Sequence, residues 1–169
     1  AILVDQEPMG SNARSTVGTA TDAYAMLRII FSRLGEPHIG PASAFSFNSG
    51  QGQCERCRGA GFEKIEMQFL SDVYIRCGDC QGRRYRPHIL EITISSETNS
   101  QLTSWNIAQM LEATVDEAVD FLKGMPPSRS ALRALAQLNL LQEVGLGYLR
   151  LGQPLNTLSG GESQRLKLV

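Results

Sequence analysis

Residues 54–84 read CERCRGAGFEKIEMQFLSDVYIRCGDCQGRR. Two CxxC pairs bracket this stretch, and a pair spaced two residues apart lets one tight turn present both sulfurs to a single tetrahedral ion. Nineteen residues, Arg58 to Arg76, separate the pairs. That is room for one β-hairpin, because FEKIEMQF and VYIRC alternate apolar and polar residues around a turn at LSD. Cys54, Cys57, Cys77 and Cys80 are the four cysteines of the chain, and in a cytosolic context such pairs favour metal over disulfides. Four thiolates leave no open coordination position, so the site is expected to hold structural Zn²⁺ and to order a module too small for a core of its own. A redox CxxC would want a βαβ context, which neither pair has. Gly59, Gly61 and Gly82 fit positive φ where the backbone turns around the ion.

Outside this stretch the pattern turns helical. ILVDQ at residues 2–6 reads as a short buried strand, and a strand beginning so early suggests a chain cut from something longer. Ala23, Met26, Leu27, Ile30, Phe31 and Leu34 keep helical spacing, with Gly35 and Pro37 as the stop. SAFSFNSGQGQ reads as a β-like run dissolving into glycine, and HILEITI as another strand. Helices return near Ser104. Thr114 with Glu117 forms a capping box closed by Gly124, and a second helix carries Leu132, Leu135, Leu138, Leu141 and Val144 along one stripe up to Gly145. The expected class is α+β: a helical subdomain at 1–44 and 96–169, interrupted at 45–95 by the zinc-bearing hairpin module.

LSGGESQR, residues 158–165, carries a different chemistry. Ser159 stands at a helix N-cap with Glu162 three residues on, a capping box. The glycines between them cost about 1 kcal/mol each relative to alanine in a helix. Bare N–H groups at a helix start attract anions, and glycines let a phosphate approach closely. The pattern resembles the ATP-binding-cassette signature. No GxxxxGK[ST] accompanies it: Lys64 follows FE, Lys123 precedes Gly124 and Lys167 follows RL. Nor does an apolar strand ending in Asp-Glu follow. The segment alone is therefore expected to be inactive as an ATPase, and the free-standing enzyme class is disfavoured because His38 and His88 have no evident nucleophile or acid partner.

Composition bounds the partners. Of 169 residues 42% are hydrophobic and 20% charged, with a net charge of −1, so no global electrostatic case exists for a nucleic-acid partner. Sixteen basic residues include only Lys64, Lys123 and Lys167 as lysines, and arginine's planar fork suits phosphate. Arg56, Arg58, Arg76, Arg83, Arg84 and Arg86 crowd the cysteine stretch, where some would only offset four thiolates. No run approaches the roughly 20 apolar residues of a membrane span, and the N-terminus lacks a secretory pattern. A cytoplasmic location is expected.

Taken together, the CxxC pairs and the glycine turn resemble the UvrA family, ATP-binding-cassette subunits of bacterial excinuclease that recognise DNA damage. DQEPMG looks like that family's Q-loop, ARST its continuation, FSFN its lead into the zinc module, and GLGYLRLGQPLNTLSGGESQRLKL its signature block. The resemblance implies that Gln6 reaches Mg²⁺ and the attacking water, and that Ser159, Gly160, Gly161 and Glu162 meet the ATP of an opposite cassette. It implies zinc ligation by the four cysteines and a double-stranded DNA partner, with Arg14, Arg83, Arg84 and Arg86 as phosphate contacts. It also implies a second copy of the chain and UvrB as partners of the full-length protein. Only Pro37 to Ala44 separate LGEP from FSFN, a layout like the second of two tandem cassettes, while NARSTVGT and FSRLGEP are worded more like the first. That mixture suits a divergent UvrA-like paralogue, and a paralogue serving resistance to DNA-binding drugs is the alternative to a repair role. A DnaJ-type chaperone module is the alternative of another class, but it repeats CxxCxGxG four times and here only CERCRGAG satisfies it.

Overall fold

Residues 15–38, 40–48 and 50–169 are described in this computed structural model; the strand expected at residues 2–6, with Gln6 and Arg14, lies outside them. The fold is mixed: helices around one apolar core, with two small antiparallel hairpins. Helix α1 (Ala23–Leu34) buries Ala23, Tyr24, Leu27, Ile30 and Phe31. Gly35 then lets the chain turn close. A Cβ there would stand 2.4 Å from the Phe31 carbonyl oxygen and 2.6 Å from Ile92 Cγ2.

SAFSF is not a strand. Residues Ala42–Phe45 form a single 3-10 turn, and Phe45 and Phe47 both enter the core without a partner strand beside them. Tyrosine hydroxyls satisfy their backbone instead. The Phe45 carbonyl accepts from Tyr24 and Tyr85 at 2.7 Å each, and the Phe47 N–H donates to the Tyr24 hydroxyl at 3.0 Å. Burial pushes the Tyr24 hydroxyl up to about 12.

Strands β1 (Phe62–Ile65) and β2 (Val73–Arg76) form the expected hairpin in the register Phe62↔Arg76 to Ile65↔Val73. It is shorter than the alternation suggests, because its residues are almost all exposed and no sheet or core extends it. HILEITI also departs from its strand reading. Pro87, whose fixed φ suits a first turn, opens the one-turn helix α2 (Pro87–Leu90), and extended pairing begins only at β3 (Ile94–Thr98). This strand pairs with β4 (Gln101–Trp105) across Asn99 and Ser100, both at positive φ.

Three capped helices follow. Helix α3 (Ile107–Glu112) starts at the Asn106–Gln109 capping box, and α4 (Val115–Lys123) at the expected Thr114–Glu117 box. Helix α5 (Arg129–Glu143) is capped by Ser128 and packs against α1 and α4. Its buried face is Ala131, Ala134, Leu138 and Leu141, whereas Leu132 is exposed. An i, i+3 leucine run drifts around a 3.6-residue helix, so the anticipated stripe starts off the buried face. Residues 149–153 then run beside Leu111–Val115 and Val17–Gly18, with Leu151 N–H donating to Ala113 and Gly18 N–H to Leu151. They lead through a 3-10 turn (Leu155–Thr157) into α6 (Gly160–Leu166). Among the described residues no helix is long and apolar enough to cross a membrane.

Candidate metal centre and glycine turn

The two CxxC turns are near copies. In each, the two residues after the second cysteine take positive φ: Arg58 at 52° and Gly59 at 85°, Gln81 at 54° and Gly82 at 84°. The fourth residue after each second cysteine closes the turn on sulfur. Gly61 N–H donates to Cys57 Sγ at 3.2 Å and Arg84 N–H to Cys80 Sγ at 3.3 Å. Those same residues then exchange the copies, for Cys77 N–H donates to Gly61 (2.9 Å) and Cys54 N–H to Arg84 (2.8 Å). A pseudo-twofold pair of turns thus aims four thiols at one point.

All four cysteines are buried and unpaired by disulfides, and their sulfurs lie within 4.8 Å of one another. Cys54 and Cys77 Sγ are 3.9 Å apart, Cys57 and Cys80 Sγ 3.6 Å. A tetrahedral ion with Zn–S near 2.3 Å separates its sulfurs by about 3.8 Å, so the spacing fits. Burial pushes the Cys57 thiol up, and the Cys80 thiol to about 12. Cys77 is raised by burial, but N–H donors from Cys80 and Asp79 outweigh this and leave it net lowered.

The arginines divide by task. Arg56 clamps the two turns, pairing with Glu63 at 2.9 Å and Asp79 at 3.2 Å. Arg86 bonds the Gln53 carbonyl at 2.8 Å and pairs with Glu55 at 3.3 Å. Arg84, expected as a phosphate contact, is only 4% exposed. Its guanidinium reaches the Gly59 carbonyl (3.1 Å) and the Gly152 carbonyl (3.4 Å) and lies 4.5 Å from the Phe47 ring centre. That expectation is corrected: Arg84 is a buried strut between the cysteine turns and residue 152. Arg83 stays exposed.

At the glycine turn, the Ser159 side chain accepts from Glu162 N–H (3.1 Å) and Glu162 returns the bond to Ser159 N–H (2.9 Å), the expected capping box. A Cβ on Gly160 or Gly161 would meet nothing within 4 Å. These glycines answer no packing demand within the described residues, which leaves their backbone open to another molecule. Sequence reading missed Tyr148, fourteen residues upstream, whose hydroxyl donates to Glu162. That bond, with the Ser159 N–H, holds the Glu162 carboxyl below the usual range.

Helices around a single core, a four-cysteine hairpin and a capped, open glycine turn define the class: an α+β fold with a candidate metal centre. The particular relatives are UvrA proteins. UvrABC system protein A of Clostridium tetani (strain Massachusetts / E88) is 43% identical over 170 residues, 99% of this chain and 17% of that protein. The same protein of Aquifex aeolicus (strain VF5) gives the same identity and coverage, and that of Methanothermobacter thermautotrophicus 42%. A crystal structure of UvrA2 from Deinococcus radiodurans superposes with a TM-score of 0.78 at 41% identity, covering 98% of this chain and 19% of that one. No protein-family model matches. The chain is a segment of UvrA type, as its motifs suggested, and spans about a sixth of the length of these relatives.

Proposed function

We propose that this chain is part of a DNA-damage-recognising ATP-binding-cassette ATPase of nucleotide excision repair. The observation that carries the reading is the four-thiol cluster with tetrahedral spacing, in one fold with an open glycine turn and inside a span that aligns with UvrABC system protein A almost from end to end. In this reading Cys54, Cys57, Cys77 and Cys80 hold structural Zn²⁺, which supplies cross-linking of the two turns and no reaction chemistry. Ser159, Gly160, Gly161 and Glu162 offer backbone N–H groups and a polar rim to the ATP phosphates of an opposing cassette. Gln6 would serve Mg²⁺ and the attacking water. Double-stranded DNA is the macromolecular partner, with Arg83, Arg86 and Arg14 as phosphate contacts. A second copy of the full chain and UvrB complete the assembly, in the cytoplasm.

The module at 45–95 and the helical parts at 1–44 and 96–169 would be coupled by linkage: ATP sandwiched between cassettes favours one relative orientation, and DNA favours one too. The test is duplex DNA binding by the zinc-loaded chain across a salt series, with undamaged and lesion-bearing duplexes, before and after chelation. Zinc-dependent binding that weakens steeply with salt is the expected result. Binding indifferent to both salt and zinc would remove the DNA-facing role from this segment. ATP hydrolysis by the rigorously purified chain alone would contradict the proposed division of the nucleotide site.

A further inference from the structure

A cleft of about 430 Å³ opens where the cysteine turns meet the segment leading to α6. Four arginines line it: Arg76, Arg83 and Arg84 from the cysteine side, Arg150 from the other. Glu112 is the single carboxylate among the lining residues. Even with Arg84 set aside as a buried strut, three arginines face one carboxylate here, in a chain whose net charge is −1.

Arg76, Arg84 and Arg150 are held by contacts of their own, while Arg83 stands exposed at the rim. Gly82 seats the Arg76 stem, since a Cβ there would lie 3.3 to 3.4 Å from Arg76 Cγ, Cδ and Nε. Arg84 is fixed by two carbonyls and the Phe47 ring, and Arg150 donates to the Glu112 carbonyl. A guanidinium fork has five donors, so the Arg150 bond to Glu112 leaves donors over. Arg56 and Arg86 are paired with carboxylates. Arg76, Arg83 and Arg150 make no carboxylate pair among the described residues. Unpaired forks converging on a cleft match the geometry of phosphate oxygens.

We propose that this cleft binds a phosphate group, and that Arg76 and Arg83 on one wall and Arg150 on the other clasp it. A phosphate held there ties the cysteine module to residues 150–154, which lead through the Leu155–Thr157 turn to the glycine turn. The site deepens the functional reading but rests on phosphate chemistry alone. Its source is either the phosphodiester backbone of a duplex or a free polyphosphate.

The probe is pyrophosphate, titrated by calorimetry into the zinc-loaded chain at low salt. Arg83→Gln and Arg150→Gln should each weaken it by about tenfold or more. The charge-matched exposed pair Arg129→Gln/Arg133→Gln should leave it nearly unchanged. Equal weakening by that control, or no binding to the parent chain, overturns the site. Phenylglyoxal modification of the unaltered chain gives a readout free of folding artefacts: pyrophosphate should protect Arg76, Arg83 and Arg150 but not Arg129, and the absence of such protection overturns the proposal. Competition by duplex DNA, with a salt slope reduced by about one for each arginine removed, assigns the phosphodiester source. Pyrophosphate binding without that competition assigns a free polyphosphate and upholds the cleft.

Discussion

Arg84 and Arg83 are adjacent in sequence and opposite in role. Arg84 sits at φ 76°, where the first cysteine turn has Gly61 at 81°, so the second turn tolerates a backbone conformation that side chains rarely adopt. Its guanidinium offsets this by bonding the Gly59 and Gly152 carbonyls. Arg84→Met should destabilise the zinc-loaded chain by about 1 to 3 kcal/mol, because it strands those carbonyls, while Arg83→Gln should leave the unfolding midpoint unchanged. Denaturant titration of both variants decides it; equal effects would mean that the assignment of strut and surface is wrong. Gly59 is constrained twice. It lies at φ 85°, and a Cβ would stand 1.6 Å from the Phe47 carbonyl oxygen, so Gly59→Ala should cost more than about 2 kcal/mol by the same measurement.

At the scale of elements, legibility followed chemistry that is local. The capping boxes at Thr114 and Ser159 and the hairpin between the cysteine pairs were readable because each is set by residues a few positions apart. The β3–β4 hairpin was not, since its turn is Asn99-Ser100 where Asn-Gly would have announced a tight turn. Ser100 adopts φ 65°, and Ser100→Gly should stabilise the chain by up to about 1 kcal/mol; a loss on thermal unfolding would contradict the turn geometry. Phe45 and Phe47 misled for the opposite reason. Their period-2 burial is real, but two tyrosine hydroxyls, one from sixty-odd residues' distance in sequence to the other, replace the strand partner. Arg84 was misread likewise, as burial is a tertiary fact that a cluster of arginines does not reveal. For α6, the Glu162 carboxyl is held low, first by Tyr148 and then by Ser159 N–H. A depressed folded pKa contributes stability above the unfolded value that is lost as pH falls through the folded one. Helix α6 should therefore fray on acidification below the ordinary carboxylate range, and Tyr148→Phe should move that fraying to higher pH. Amide exchange at Glu162 reads both.

At the scale of the molecule, the cysteine cluster and the helical core are separate hydrophobic clusters, joined through Tyr85, Phe47 and Arg84. Removing the ion should therefore destabilise the hairpin module while leaving α1, α4 and α5 little changed. The pH dependence of the two forms should run in opposite directions. In the metal-free chain the Cys80 thiol is pushed from 9.0 to about 12 and Cys57 is raised, both by burial. A raised folded pKa gives stability that is full below the unfolded value and is lost as pH rises through the folded one. The metal-free module should accordingly weaken between pH 9.0 and about 12. In the loaded chain the ion needs thiolates, so protons compete with it and its affinity falls as pH falls. Loading at neutral pH must then release the protons of Cys57 and Cys80, which calorimetry in buffers of different ionisation enthalpy would count. Module unfolding followed against pH, with and without chelator, should give one curve that fails in acid and one that fails in alkali. Two curves failing on the same side would mean that the four thiols do not share an ion.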